Sequence, residues 1–330
     1  MSGQGYQIFA DALAGAGLAR LADRVRAPLR VGVGGRRGVG VSTVVAALRG
    51  SGFDAAHHAE ANDREVDVYV VAEVLKPEDN AALAAARRPA YIVFTKADLA
   101  GFGPGGPLSR ARRQADRLTA LTGVPAGPLA GLLAAFDAGA LDGDALAALR
   151  RMVGHPADLR SPDAFVTTPH PVAAAMRTHL IETLDLFGIA HAVMALRGDP
   201  GAGADRLAAV LRRVSGVEEV RRGIERAGAQ VRYNRVAAVC DELEVRAITD
   251  ATVARFLRCD DTVLARMSAA VDVVEAAGLA VDRSDEPAAH LERATLWRRY
   301  AAGPVSAVHR RCGADISRGS LRLIRPGGTA

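Results

Sequence analysis

At 330 residues the chain has room for two domains, each with a core that needs no disulfide or metal to hold it. Hydrophobic residues make up 49% but aromatics only 4%, so Ala, Leu and Val do most of the packing, which favours helices. Subtracting 37 acidic from 42 basic residues leaves +5, carried mostly by arginine; this is a solvated basic surface, and no nucleic-acid partner is expected from it.

Residues 5–26 place Ile8, Leu13, Leu18, Leu21 and Val25 at roughly helical spacing, and Pro28 ends that helix. Leu29 to Val33 reads as a short buried strand running into the glycine-rich stretch GGRRGVGVST, residues 34–43, and Ser42 to Leu48 reads as the helix leaving it. Val66 to Val71 is a β-branched run and a strand. Pro77 to Arg88 follows as a helix, and Ala90 to Phe94 as another strand ending at Thr95-Lys96-Ala97-Asp98. A flexible loop is expected over Gly101–Pro107, a basic amphipathic helix over Leu108–Thr122, a last short strand over Val124–Leu129 and a helix from near Leu132.

From about Ala145 strand-like runs nearly vanish. Helical patterns run through 171–192, 203–213, 216–227, 231–246, 250–257, 261–278, 286–302 and 304–312. Strands alternating with helices argue for a reduced parallel sheet in an α/β domain over residues 28–144. A large all-helical domain follows over 145–330, and the helix in residues 1–27 packs with it. Cys240, Cys259 and Cys312 are odd in number, widely spaced and without C-x-x-C spacing, so they read as reduced packed thiols. The N-terminus has no basic stretch followed by an apolar one, and no run of about 18 apolar residues occurs. The expected location is therefore the cytoplasm.

The glycine stretch fits G-x-x-x-x-G-K-S/T through Gly35, Gly40 and Ser42, except that Val41 stands at the lysine position. Backbone N–H groups across Gly35, Arg36, Arg37, Gly38, Val39, Gly40, Val41, Ser42 and Thr43 can wrap a β-phosphate, helped by the positive end of the following helix. Neither contribution needs the lysine. Ser42 is the candidate Mg2+ ligand. A missing lysine removes a charge-assisted contact worth about 1.5–3 kcal/mol. Further along, Thr95-Lys96-Ala97-Asp98 matches N/T-K-x-D directly after a strand. The Asp98 carboxylate can accept from guanine N1–H and its 2-amino group, which adenine cannot supply, and the Lys96 stem can lie over the base.

Strand, G-x-x-x-x-G-x-S, strand, Val93-Phe94-Thr95-Lys96-Ala97-Asp98-Leu99, then Thr122-Gly123-Val124-Pro125, Pro128-Leu129 and Gly131-Leu132-Leu133 together resemble the bacterial dynamin-like P-loop GTPases, in particular an alanine-rich actinobacterial branch. The helical half is similar at Leu184-Asp185-Leu186-Phe187-Gly188 and Trp297-Arg298-Arg299-Tyr300. The resemblance implies a guanine-nucleotide domain joined to a helical stalk, GTP or GDP with Mg2+ as ligands, membrane-related work and dimerisation through the nucleotide domains. Two departures mark a degenerate member. Val41 replaces the lysine, and the segment Arg49–Glu65 holds no D-x-x-G and room for one edge strand at most, so the parts that sense a γ-phosphate and position water are missing.

His57 and His58, with Asp54, Glu60 and Asp63 near them, read as a solvated loop, and His179 and His191 as packing residues. Trp297 through Tyr300, with His309, Arg310, Arg311, Arg318, Arg322 and Arg325, makes the C-terminal end basic; it reads first as a helix covering the bundle, with peripheral contact to anionic lipid at the inner membrane face, or to a nucleic-acid backbone, as the functional alternatives. No catalytic residue can be named, because no Ser-His-Asp order, H-E-x-x-H or paired-carboxylate geometry emerges. The leading expectation is a regulatory or structural subunit that binds guanine nucleotide weakly or not at all and pairs, as hetero- or homodimer, with another dynamin-like GTPase. The alternatives are a slow GTPase using Arg36, Arg37 or a partner for the missing charge, a partition-type ATPase echoed by Arg37–Thr43, and a scaffold that binds no nucleotide.

Overall fold

The computed structural model describes residues 5–101 and 104–324. Of the loop expected over 101–107, residues 102 and 103 lie outside the described residues, as does Arg325 of the basic C-terminal end. In chain order the elements begin with α1 (Gly5–Gly15), α2 (Ala19–Arg26), β1 (Arg30–Gly35), α3 (Val41–Arg49), β2 (Asp54–His57) and β3 (Val66–Ala72). They continue with α4 (Pro77–Ala84), β4 (Ala90–Thr95), a 3₁₀ turn at Ala97–Leu99, α5 (Gly106–Thr122), β5 (Ala126–Leu129), α6 (Gly131–Ala134) and a second 3₁₀ turn at Ala138–Ala140. Ten helices follow: α7 (Gly143–Gly154), α8 (Pro162–Thr167), α9 (Ala174–Gly198), α10 (Ala204–Val214), α11 (Val217–Ala227), α12 (Ala229–Arg246), α13 (Ala251–Arg258), α14 (Asp260–Ala276), α15 (Pro287–Ala302) and α16 (Ala307–Ile324). The architecture is thus an α/β portion followed by a long helical region.

Two differences from the sequence pattern have plain causes. The single helix expected over 5–26 breaks into α1 and α2 at Gly17, whose φ of 77° no continuous helix can contain. The helix expected over Pro77 to Arg88 cannot reach Arg88, where Pro89 disfavours helical backbone, and it ends before that, at Ala84.

The contacts divide the chain into two compact units, one of Met1–Leu29 with Glu225–Ala330, the other of Arg30–Ile224. The change of pattern near residue 145 marks the end of the strands, but the unit that holds the sheet continues to Ile224. Its helical part, α7 to α10, closes over Phe165, Leu180, Leu184, Ile189, Leu207 and Leu211, and the same core takes in Leu133 of α6. Gly188 of α9 is what lets Leu133 approach, since a Cβ there would lie 2.6 Å from its Cδ2. Among the described residues α9 is the one helix long and apolar enough to cross a membrane, and Leu180, Leu184, Ile189 and Leu196 of it lie in this core.

The sheet has the order β2-β1-β3-β4-β5, and all its pairings are parallel. Tyr69, Val71, Ile92 and Phe94 cluster with Leu83 of α4 and with Ala111, Ala115 and Leu118 of α5. The connection from β1 to β2 through α3 runs one way along the sheet and those from β3 to β4 and β4 to β5 run the other, so right-handed crossovers place α3 on the other face. The route from β2 to β3 is unusual. Parallel strands are normally joined through a helix, yet residues 58–65 form none and pass directly over β1. Glycines in β1 make this approach feasible: a Cβ on Gly34 would lie 2.6 Å from His58 Nδ1, and one on Gly32 would lie 2.2 Å from Arg64 Cδ. The crossing chain is fastened by His58 N–H to Val33 O (3.0 Å), Glu65 N–H to Arg30 O (2.7 Å) and Arg30 N–H to the Glu65 carboxylate (3.0 Å).

The other unit is all helical. α1 and α2 bring Phe9, Leu13, Leu21 and Val25 against Val236, Val239, Cys240 and Leu243 of α12. A second cluster joins Tyr233, Val271, Val274, Trp297, Cys312 and Ile316. Between them Asp315 accepts from the Tyr233 hydroxyl (2.8 Å) and pairs with Arg266 (2.9 Å). Burial pushes the thiols of Cys240 and Cys312 up to about 11 and about 12, so both are packed thiols rather than reactive ones. Trp297 is core, while Arg311 and Arg322 pair with Asp241 and Asp260, leaving Arg298, Arg299, Arg310 and Arg318 exposed on the basic end.

Candidate functional site

The carboxyl ends of the strands in an open parallel sheet, where the chain turns opposite ways on leaving neighbouring strands, are where such sheets bind ligands. Here that point is β1, with β2 and β3 on its two sides. Its C-terminal end runs into the glycine loop. Gly38 and Gly40 adopt φ of 81° and 90°, which only glycine takes without strain, and Gly40 caps α3. Amides of the loop and of the first turn of α3 therefore stand at a helix N-terminus as the sequence predicted. A cavity of about 790 Å³ opens on this loop, lined along Val33–Gly38 and Gly40–Thr43, by His57, His58 and Ala59, and by Tyr69. Not one lining residue carries a carboxylate.

The two predicted motifs are joined by one buried contact. Thr95, 3% exposed at the end of β4, donates its hydroxyl to the carbonyl of Val39 at 2.7 Å, across the end of β3. Gly131, at the start of α6, approaches the loop from the other side, where a Cβ would lie 3.2 Å from Thr43 Cγ2. Lys96 and Asp98 are placed differently. Lys96 is exposed with φ of 54°, and neither residue lines the cavity. Burial, and secondarily the neighbouring carboxylate of Asp185, raises the Asp98 carboxyl above its ordinary range. Asp185 sits at a break in α9 with φ of 57° and ψ of 169°.

Arg36 does not face a phosphate. Its Nε bonds both oxygens of Asp79 (2.9 and 3.1 Å), a carboxylate with no exposed surface. Asp79 also accepts from the Tyr69 hydroxyl (3.2 Å) and from Lys76 N–H (2.8 Å), which makes it the closing residue of the first turn of α4. Burial, then the Asp79 carboxylate, pushes the Tyr69 hydroxyl above its usual range. Arg37 is exposed, and no ion pair forms with it among the described residues.

At the mouth of the loop, β2 ends on His57, whose Nε2 stands 3.5 Å from Ser42 Oγ. His58 turns back over β1, and its Nε2, buried, lies 3.3 Å from Asp67 Oδ1, an ion-pair distance without hydrogen-bond alignment. Arg64 Nε bonds the same Asp67 oxygen at 2.7 Å. Burial raises the Asp67 carboxyl, but the contacts from His58 and Arg64 outweigh it and hold the group below its ordinary range.

Mg2+ takes six oxygen ligands in near-ideal octahedral geometry. Beside a nucleotide most of these come from phosphate and water, with one or two carboxylates from the protein; here Ser42 offers one hydroxyl, its neighbour is an imidazole, and no carboxylate lines the cavity. The residues present do not fit that ion. Three participants escaped the sequence reading. Asp79 was not singled out, His57 read as part of a solvated loop, and Asp185 entered only within Leu184–Gly188 with no role at the site; only the β1–β2 pairing could have flagged His57.

Comparison of the chain with protein-family models, with curated proteins and with solved structures gives no match.

Proposed function

We propose that the chain is a degenerate guanine-nucleotide-binding protein of the dynamin-like kind, which holds nucleotide through backbone amides of the glycine loop and does not turn it over. The supporting observation is the hydroxyl of Thr95 bonded to the Val39 carbonyl at 2.7 Å. It ties the segment that would read a base to the loop that would hold its phosphates, at the carboxyl edge of a parallel sheet. Turnover is not part of the reading. Position 41 is valine, Arg36 is bound to Asp79, and residues 58–65 spend themselves crossing β1, which leaves no loop to position water. Such a domain serves as a regulatory or structural subunit beside a complete GTPase, in a hetero- or homodimer.

Calorimetry with GDP, GTP and ATP tests the reading, together with GTP turnover measured on the full chain. Weak GDP binding without turnover is expected. GTP hydrolysis by the chain alone at the rate of an ordinary GTPase would overturn it in favour of an active enzyme. Absence of heat with every nucleotide would leave a scaffold, the alternative favoured by the crowding of Asp98 against Asp185.

A further inference from the structure

We infer that this site takes a nucleoside diphosphate without its magnesium ion. The inference rests on the nucleotide reading above and adds the charge state of the ligand.

Phosphate loops hold Mg2+ between the loop hydroxyl and a carboxylate on a neighbouring strand. In this chain Ser42 supplies the hydroxyl, and β2, one of the two strands paired to β1, ends at His57, 3.5 Å away. None of the acidic residues near the cavity lines it, Glu60 beside Ala59 included. Asp67 is held by Arg64, Glu65 by Arg30 and Asp79 by Arg36, while Asp54 stands at the opposite end of β2. The lining consists of the exposed Arg37, Arg36 already paired with Asp79, two histidines, a tyrosine, hydroxyls and apolar residues. A cavity with cationic and donor groups and no carboxylate selects an anion and rejects a divalent cation. An imidazole N–H can donate to a phosphate oxygen at the corner where a carboxylate would repel it.

The same inventory ranks the phosphates. The lysine that Val41 replaces would reach both the β- and the γ-phosphate, and Arg36 cannot substitute while its Nε is bound to both oxygens of Asp79. The β-phosphate keeps the amides of Gly38 to Thr43, which are in place, whereas the γ-phosphate loses its charged partner. Diphosphate is therefore preferred to triphosphate.

The test is calorimetric titration of the full chain with GDP and GTP, in excess Mg2+ and again in excess EDTA. The expected result is GDP binding in EDTA at least as tight as in Mg2+, with GTP about tenfold weaker than GDP, the low end of what one charge-assisted contact supplies. His57→Asp should reverse the metal response, losing about tenfold or more of the GDP affinity in EDTA and recovering it in Mg2+. His57→Gln, which keeps a donor, should stay metal-independent and guards against a folding defect. GDP binding that requires Mg2+ in the wild type, or a metal response that His57→Asp leaves unchanged, overturns the inference and leaves the nucleotide reading standing. No binding of either nucleotide in either buffer overturns both.

Discussion

Arg36 occupies the glycine loop, yet its contacts make it a structural clamp, and Arg36→Met separates the two roles. The guanidinium is 24% exposed and its partner Asp79 is 0% exposed. Removing one member of a buried pair costs about 3–5 kcal/mol, because the other charge is left behind without its partner. Asp79 keeps two donors, the Tyr69 hydroxyl and Lys76 N–H, and Arg36 is partly hydrated, so the lower end applies, about 3 kcal/mol. That is about two orders of magnitude in the folding equilibrium. The sole tryptophan, Trp297, belongs to the other compact unit, so its fluorescence cannot report this loss. Urea-dependent hydrogen exchange read by mass spectrometry on β3 and β4 can. With a urea dependence of about 1–3 kcal/mol per molar, the midpoint of those strands should fall by about 1–3 M. GDP affinity should change less than about twofold, since the guanidinium is already paired with Asp79. A stability loss below about 1 kcal/mol, or a tenfold fall in GDP affinity, would refute the clamp and return Arg36 to the ligand.

Thr95→Val keeps shape but removes the hydroxyl that holds Val39; it should cost about 1–2 kcal/mol and speed amide exchange across residues 36–43, and unchanged exchange there would sink the proposed link between the motifs. Asp185→Gly should raise the melting temperature, because φ 57° with ψ 169° costs a non-glycine residue about 1–3 kcal/mol and the change also removes the carboxylate beside Asp98; a lower melting temperature would contradict it. Asp67 has a folded pKa below its reference of 3.8, so its contribution is present above that pH and is lost as pH falls through the folded value. Asp67→Asn should therefore make the acid limb of the stability profile shallower below about pH 4, and an identical limb would show that His58 and Arg64 add nothing.

The strands at β1 and β4 were legible as apolar runs next to Gly or Pro, β3 as a β-branched run, and the glycine loop because its turn needs residues that accept positive φ. β2 was not, since Asp54-Ala55-Ala56-His57 has no strand propensity of its own and extends only because β1 offers it an edge. The split of the N-terminal helix could have been read from Gly17. The pairing of Arg36 with Asp79, and of Asp98 with Asp185, could not: these residues are far apart in sequence, and nothing in a single chain marks two charges as partners. The sheet-containing unit extends past the last strand for a related reason. Leu133 and Gly188 interlock, and their fit depends on the shapes of two helices rather than on any local pattern.

The glycines of β1 connect the shortened segment to the altered site. A strand that pairs on one side of β1 must deliver the chain to the other side, and residues 58–65 can do so without a helix only by lying against the strand itself. Gly32 and Gly34 provide the clearance, His58 and Arg64 fill it, and Asp67 fixes both. That path forces the chain to turn back directly after His57, so the corner of the glycine loop receives an imidazole and no following loop. The imidazole beside Ser42 and the direct crossing of β1 thus lie on one continuous stretch of chain. A lysine restored at position 41 would supply charge to a γ-phosphate, but it would leave the crossing of β1, and with it the missing loop, as they are.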